Sequence, residues 1–192
     1  TLMRWAAGIL GKAGKKITQR DMELLLTKTG TDMGNLRMEM EKLISYTEGR
    51  DVVTAEDIEE ICTTQTTNRI FDMVRAVTEK NQKRALELYY DLLTLKEPPM
   101  RILFLLAKQY RQLLLAKQFA AAGLAQTEIA SKLGVPGFVV RNITTCARAY
   151  TISELEQAVK DFVDAEESVK TGRLEDKLSV ELLIIKYSSK VK

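Results

Sequence analysis

The chain has 192 residues, of which 45% are hydrophobic and 29% charged, and its net charge is +3. This composition is typical of a globular protein, and the length suits one large domain or two small ones. Histidine is absent, which removes the commonest general base and the commonest metal ligand, and the apolar runs are too short for a membrane span of about 18 residues. Two cysteines, Cys62 and Cys146, make no disulfide framework, so we predict buried thiols, no metal site and a reducing cytoplasm.

The first third of the chain predicts a small three-helix domain over residues 1–62. The sequence starts without methionine and inside an apolar pattern, so we expect a fragment whose first domain is truncated. GILGKAGKK lacks the glycine frame of a phosphate loop and no strand precedes it, which favours a basic helix end over a nucleotide site. Thr18, Asp32 and Thr54 each precede an apolar pattern of period three to four, and we predict that they cap three helices.

A run of polar residues separates this domain from the next helical pattern. Hydroxyl and amide side chains compete with the backbone for hydrogen bonds, so such a run ends one helix and caps the next. We interpret residues 63–67 as a linker. The predicted interdomain seam and its caps are Thr66, Thr67, Asn68, Ile70 and Phe71.

Residues 68–192 predict a second, larger helical bundle. Pro98 and Pro99 are suitably placed to open its longest helix. The first turns of that helix are apolar almost all round, which is typical of a helix at the centre of a bundle. Further along, Ser153 and Glu156 have the spacing of a capping box, which predicts the start of another helix.

The longest helix also carries three cations at helical spacing, Arg101, Lys108 and Arg111. A helix face that is both apolar and basic suits a partly desolvated contact with an acidic neighbour, because arginine is enriched in such contacts. The alternative is that the three cations are simply solvated.

Residues 126–148 offer an alternative function. The sequence QTEIASKLGVPGFVVRN resembles a helix-turn-helix, in which the second helix would read DNA bases. The first turn of that helix is apolar, and only Arg141 and Asn142 could contact bases. Packing inside the bundle is the simpler interpretation, and a DNA-binding regulator is the alternative. The carboxylates follow capping and surface patterns, so we predict no catalytic residues and no cofactor.

Two parts of the chain carry a family resemblance. Two segments in the first third of the chain resemble the small helical lid of clamp-loader subunits. They are LLLTKTGTDMGNLRMEMEKLISY and VVTAEDIEEIC. Four later segments resemble the collar domain of the delta subunit of the bacterial DNA polymerase III clamp loader. They are TTNRIFDMVRAVTEKNQKRALELYYDLL, EPPMRILFLLAKQYRQLLLAK, IASKLGVPGFVVRN and AEESVKTGRLE. The triplet from Ile70 to Asp72 and the pair Gln109 and Arg111 are the most specific pieces, and the resemblance covers nearly the whole chain.

The resemblance implies an all-α fold, a lid followed by a collar, and a non-catalytic role in assembling the ring that loads the sliding clamp on DNA during replication. The parent would be a subunit of a DNA-directed DNA polymerase holoenzyme. The resemblance implies that the partners are ATPase subunits and delta-prime, and that the chain does not bind a membrane. In the family a nucleotide-fold domain precedes the lid and contacts the clamp, so we expect this chain to lack the clamp-opening part. We expect any contact of this chain with DNA to be indirect or weak. The candidate subunit-contact residues are Arg101, Lys108, Gln109 and Arg111.

Overall fold

The computed structural model describes residues 2–63 and 66–189, and within these ranges all regular structure is helical apart from a single β-bridge between Lys16 and Val52. The predicted all-α class is therefore confirmed. The chain divides into two compact units, unit 1 ending at Asn68 and unit 2 beginning at Arg69. None of the helices in the described ranges has the length and apolar character needed to cross a bilayer.

Unit 1 is a bundle of short helices around its third helix. Its helices are α1 (Leu2–Lys12), α2 (Gln19–Thr29), α3 (Met33–Tyr46) and α4 (Ala55–Ile61). The three predicted helices correspond to α2, α3 and α4, and α1 packs against α3 as a fourth. The inner faces of the four helices contribute a buried apolar core, whose members include Ala6, Leu10, Met22, Leu25, Leu26, Leu36, Met40, Leu43 and Ile58.

Side-chain caps begin helices α2, α3 and α4 where the sequence predicted them. Thr18 and Asp32 each accept a hydrogen bond from the backbone N–H three residues on, at 3.1 Å and 2.8 Å. Thr54 and Asp57 form a capping box, in which the Thr54 N–H donates to the Asp57 carboxylate at 2.9 Å. Each cap satisfies a backbone donor that has no partner inside the helix, which stabilises the helix by about 1 kcal/mol.

The glycine-rich segment after α1 is tied to the far end of α3. The Lys15 ammonium donates hydrogen bonds to the carbonyl oxygens of Thr47 at 2.7 Å and Arg50 at 2.6 Å, which lie just beyond that end. A cation at this position also interacts favourably with the negative, C-terminal end of the helix dipole. Lys15 therefore has a structural role in unit 1.

Both cysteine thiols are buried, as predicted from the sequence. Burial raises the pKa of the Cys62 thiol to about 11, and burial also raises the pKa of Cys146. Because the thiolate is the reactive form, we expect the folded protein at pH 8 to react with Ellman's reagent at least ~100-fold more slowly than the denatured chain. Rapid labelling of either thiol in the folded protein would contradict this.

Unit 2 is a larger bundle built around α7. Its helices are α5 (Thr66–Thr78), α6 (Gln82–Thr94), α7 (Pro99–Ala121), α8 (Gln126–Leu133), α9 (Gly137–Ala147), α10 (Ile152–Lys170) and α11 (Asp176–Ser188), and the first three residues of α5 precede the unit boundary. The central helix α7 packs against α8, α9, α10 and α11, whereas α11 also packs against α6 and α10. The central position predicted for the longest helix is confirmed.

Hydrogen bonds from α6 and from the turn before it reach the last helix of unit 2, and two of them end on backbone carbonyls. The Tyr89 hydroxyl on α6 donates to the Lys177 carbonyl at 3.0 Å, across 88 residues of sequence. The Lys80 ammonium, in the turn before α6, donates to the Tyr187 carbonyl at 2.9 Å, across 107 residues. Helix α6 and the last helix of unit 2 are therefore neighbours in space.

Aromatic rings fill the centre of unit 2. Tyr110 of α7 is 1% exposed, and its ring centroid lies 5.9 Å from that of Tyr150, 5.0 Å from that of Phe162 and 5.5 Å from that of Tyr187. The Tyr110 and Tyr150 hydroxyls are hydrogen-bonded at 3.1 Å, so neither buried hydroxyl lacks a partner. This cluster connects α7 to α10, to α11 and to the segment between α9 and α10.

A polar cluster beside these rings fastens α10 to α11. Asp161 accepts hydrogen bonds from the Tyr187 hydroxyl and from the Lys186 ammonium, the latter at 2.5 Å. Burial alone would raise the pKa of Asp161, but the hydrogen bonds from Lys186, Tyr187 and Gln157 together hold it below the ordinary value. The cluster therefore stabilises unit 2 at neutral pH, and this stabilisation is lost as the pH falls through the lowered pKa.

The start of α10 differs from the predicted one. The observed capping box pairs Thr151 with Glu154, whose carboxylate accepts from the Thr151 N–H at 2.6 Å, so the predicted pairing of Ser153 with Glu156 was wrong. Both pairs have the same spacing, but the earlier start also brings the half-buried Ile152 into the helix.

Candidate subunit-contact surface

Four side chains on α7 form one exposed surface, the α7 face, which consists of Arg101, Phe104, Lys108 and Arg111. Their spacing of three, four and three residues keeps them on one side of a helix. The helix begins at Pro99, where proline costs no backbone hydrogen bond. The α7 face therefore extends from the first turn of the helix over about ten residues of its length.

The charges on the α7 face are only partly compensated within the chain. Arg101 forms an ion pair with Glu97 at 3.2 Å. The side chains of Lys108 and Arg111 form no hydrogen bond or ion pair with another residue of the ranges 2–63 and 66–189. Two cations are therefore left for solvent or for a partner.

Phe104 is the one member of the α7 face that the sequence did not indicate. Its side chain is 63% exposed, although its neighbours Ile102 and Leu103 are buried. A single exposed aromatic ring needs no explanation by itself. Here the ring lies on a rigid helix among cations, and aromatic residues and arginine are the types enriched in protein interfaces.

Gln109 lies away from the α7 face, in contrast to its grouping with the three cations in the sequence. It is 7% exposed and lies on the inner side of α7 beside Tyr110, where its side-chain oxygen has no hydrogen-bond partner among the described residues. A buried amide is inaccessible to another subunit, so we leave Gln109 out of the contact surface.

The predicted seam residues fall at the start of α5. This helix begins at Thr66, so Thr66, Thr67 and Asn68 form its first turn, and the side chains of Thr67 and Asn68 lie outside the described residues. Ile70 is fully buried in the core of unit 2, and Phe71 packs against that core with the Arg75 guanidinium 5.7 Å from its ring centroid. The capping role stays a prediction.

The helix-turn-helix segment serves the packing of unit 2. Helices α8 and α9 both pack against α7, and Gly134 in the turn between them has the left-handed conformation, with φ of 65°. In the first turn of α9, Val140 is fully buried and Val139 packs against the core. The part of α9 that would face DNA bases is therefore occupied by the core, and the DNA-binding alternative gains no support.

Comparisons with known proteins agree with one another. The family described as DNA polymerase III delta subunit, C-terminal domain, matches residues 67–187. The DNA polymerase III subunit delta of Bacillus subtilis is 27% identical over 171 residues, which cover 89% of this chain and 49% of that protein. The probable DNA polymerase III subunit delta of Aquifex aeolicus is 23% identical over 123 residues, which cover 64% of this chain and 35% of that protein.

A solved structure supports the fold. The Bacillus subtilis DNA clamp loader delta protein aligns with a TM-score of 0.86 at 24% identity, over 98% of this chain and 56% of that chain. The chain therefore spans about half the length of the Bacillus subtilis relatives, in sequence and in structure.

Proposed function

The chain belongs to the family of the DNA polymerase III delta subunit, which it matches through the C-terminal domain, and from this membership we propose that it is the assembly part of a clamp-loader delta subunit. In this role it joins related subunits into the ring that loads the sliding clamp on DNA during replication in the cytoplasm. The chain itself carries out no chemistry, and ATP hydrolysis belongs to the ATPase subunits that it contacts.

The proposal divides the chain into a lid, residues 1–62, a linker, residues 63–67, and a collar, residues 68–192. The partners are the ATPase subunits and delta-prime. Contact with the sliding clamp belongs to the nucleotide-fold domain that precedes the lid in the family. Contact of these residues with DNA is, in this proposal, indirect or weak.

The α7 face is the observation that carries the proposal. It combines two cations without partners in the described parts of the chain, Lys108 and Arg111, with the exposed ring of Phe104. An acidic neighbour that covers the ring also removes water from the cations, and a desolvated charge pair is worth more than an exposed one. The α7 face therefore fits a subunit with an acidic, partly apolar surface.

The test is a charge reversal on this face, Arg111→Glu, in the full chain mixed with purified clamp-loader ATPase subunits and delta-prime. We expect the affinity for one of them to fall by at least ~30-fold, because reversing a charge in a desolvated contact costs about 2–5 kcal/mol. Phe104→Ala is expected to weaken the same contact by roughly tenfold. Isothermal titration calorimetry at two salt concentrations measures both effects.

Arg148→Glu is the matched control, because Arg148 is also an exposed arginine of unit 2 but lies at the end of α9. It reverses the same charge away from the α7 face and is expected to bind like the wild type. Equal affinities of the Arg111 and Arg148 variants would show that the cations of α7 are merely solvated. Failure of the wild-type chain to bind any clamp-loader subunit would refute the proposed function itself.

A further inference from the structure

The C-terminal end of α4 depends on charged side chains of the neighbouring helices. Among the seven residues of α4, all of which the structure describes, Ile58 is the apolar side chain that is fully buried. A helix of this length is marginal in isolation, so its position depends on its contacts with α2 and α3. The last carbonyl groups of a helix also have no partner inside it, and they have to be satisfied from outside.

A buried carboxylate on α3 lies at this end of α4. Glu39 is 6% exposed, and its carboxylate accepts a hydrogen bond from the Thr63 N–H at 3.1 Å and pairs with the Lys42 ammonium at 2.6 Å. The Lys42 ammonium also donates to the Ile61 carbonyl and to the Thr63 hydroxyl, both at 3.4 Å. These four residues, Glu39, Lys42, Ile61 and Thr63, form the α4 clamp. The clamp joins the last residue of α4, and Thr63 beyond it, to one turn of α3.

A second buried cation limits how much of α4 depends on the clamp. The Lys28 ammonium on α2 donates to the carbonyl of Glu59 at 2.5 Å and to its carboxylate at 2.8 Å. Beyond Glu59, a surface hydrogen bond from the Tyr46 hydroxyl to the Glu60 carboxylate adds little, because water competes for both groups. The segment that the clamp holds therefore consists of residues 60–63.

The Cys62 thiol lies inside this segment and is buried. Burial raises the pKa of the thiol, the Glu39 carboxylate raises it further, and the ammonium groups of Lys42 and Lys28 lower it. The thiol is therefore surrounded by the charged groups that hold the end of α4. A reagent reaches it only when the segment leaves α3, so its reactivity reports on the clamp.

We propose that the α4 clamp is a conformational device of unit 1, which holds residues 60–63 on α3 when closed and releases them when open, while α1 to α3 stay folded. Local openings of this kind cost less free energy than global unfolding. The chain continues from Thr63 to α5, which begins at Thr66. Four residues span about 6 Å as a helix and up to ~14 Å when extended, so opening adds roughly 8 Å to the chain between α4 and α5. The α4 clamp lies within unit 1 and does not require the proposed function.

The first test is Lys42→Met in the full chain. Methionine keeps most of the length of the side chain and removes the ammonium, which leaves the buried Glu39 carboxylate without its cation and destabilises the closed state. We expect iodoacetamide to label Cys62 at pH 8 at least ~10-fold faster than in the wild type. Peptide mass spectrometry assigns the label to each thiol, and Cys146 in unit 2 is expected to react at the wild-type rate.

The sign of this change separates opening from a local effect of charge. In a segment that stayed closed, loss of the Lys42 ammonium would raise the pKa of the Cys62 thiol and slow its labelling, because the thiolate is the reactive form. Faster labelling therefore requires that residues 60–63 leave α3 more often. Unchanged or slower labelling of Cys62 in Lys42→Met would overturn the proposal.

Hydrogen exchange followed by mass spectrometry tests the opening without the thiol. We expect the amides of Cys62 and Thr63 to exchange at least ~10-fold faster in Lys42→Met, while the amides of α1 to α3 keep their wild-type protection. Glu39→Gln keeps an oxygen that can accept from Thr63 but removes the charge, and a neutral hydrogen bond is roughly half as strong. We expect at least ~3-fold faster exchange at the same two amides.

Arg37→Met is the matched control, because it removes an exposed ion pair, that of Arg37 with Glu41, from the same helix. Exposed pairs contribute little, so labelling and exchange are expected to match the wild type. An equal acceleration in Arg37→Met and Lys42→Met would show that any loss of charge on α3 loosens the unit, and would refute the clamp. A loss of protection spread evenly over α1 to α4 would show that unit 1 is destabilised as a whole, which also contradicts a local opening.

Discussion

Replacing Tyr110 with alanine is expected to lower the stability of unit 2 by about 3–5 kcal/mol, the usual cost of removing a buried aromatic side chain. Tyr110 is 1% exposed and contacts the rings of Tyr150, Phe162 and Tyr187. The substitution also leaves the buried Tyr150 hydroxyl without its hydrogen-bond partner. Because domains are stable by only about 5–15 kcal/mol, a large part of the stability of unit 2 disappears.

Tyr110→Phe is the matched control for this prediction. It keeps the ring and removes only the hydroxyl, so we expect a loss of about 1–2 kcal/mol. Urea denaturation followed by circular dichroism measures both variants. If the alanine and phenylalanine variants unfold at the same urea concentration, the ring contacts contribute little and the cluster is not the centre of the core.

Leu36→Ala is expected to lower the stability of unit 1 by about 2–5 kcal/mol and to leave unit 2 unchanged. Leu36 is fully buried on α3, the helix that packs against α1, α2 and α4. Removing such a side chain costs about 2–5 kcal/mol. At roughly 0.05–0.15 kcal/mol per residue, a unit of this size is stable by only roughly 3–10 kcal/mol, so the loss reaches a large fraction of its stability.

Two measurements follow the effect of Leu36→Ala. Calorimetry should show two transitions, the first shifted down by many degrees and the second unchanged. Limited proteolysis at a temperature between them should degrade unit 1 and leave a fragment that starts between residues 63 and 68, which also tests the proposed linker. Leu36→Met conserves volume and is expected to behave nearly like the wild type. A single transition that includes unit 2 would contradict the prediction.

Features of the fold that depend on local sequence could be predicted. Thr18, Asp32 and Thr54 cap helices in the structure because each capping side chain and the backbone N–H from which it accepts lie within one turn. Local sequence does not decide between Thr151 and Ser153 as the N-cap of α10, because each is followed three residues later by a glutamate. In the structure the helix starts at the residue between them, Ile152, which is half-buried.

The candidate site was predictable only in part. Helical spacing placed Arg101, Lys108 and Arg111 on one side of α7, because that spacing is a property of the helix alone. Which apolar residue stays exposed beside them, and whether Gln109 faces inward, depends on where α8 to α11 lie around α7. That arrangement comes from contacts distant in sequence, which a pattern of hydrophobic residues does not specify.

The hydrogen bonds that Tyr89 and Lys80 donate to α11 have a consequence for the order in which the chain folds. Tyr89 and Lys80 find their partners 88 and 107 residues later, on α11. A ribosome that makes the chain from its N-terminus releases the α6 surface long before the helix that covers it. The contacts of unit 1 lie within its own short sequence, so unit 1 can fold first. In unit 2, by contrast, apolar surface stays exposed until α11 has been synthesised. During synthesis, the side of α6 that α11 covers therefore stays exposed until the last helix of unit 2 has been made.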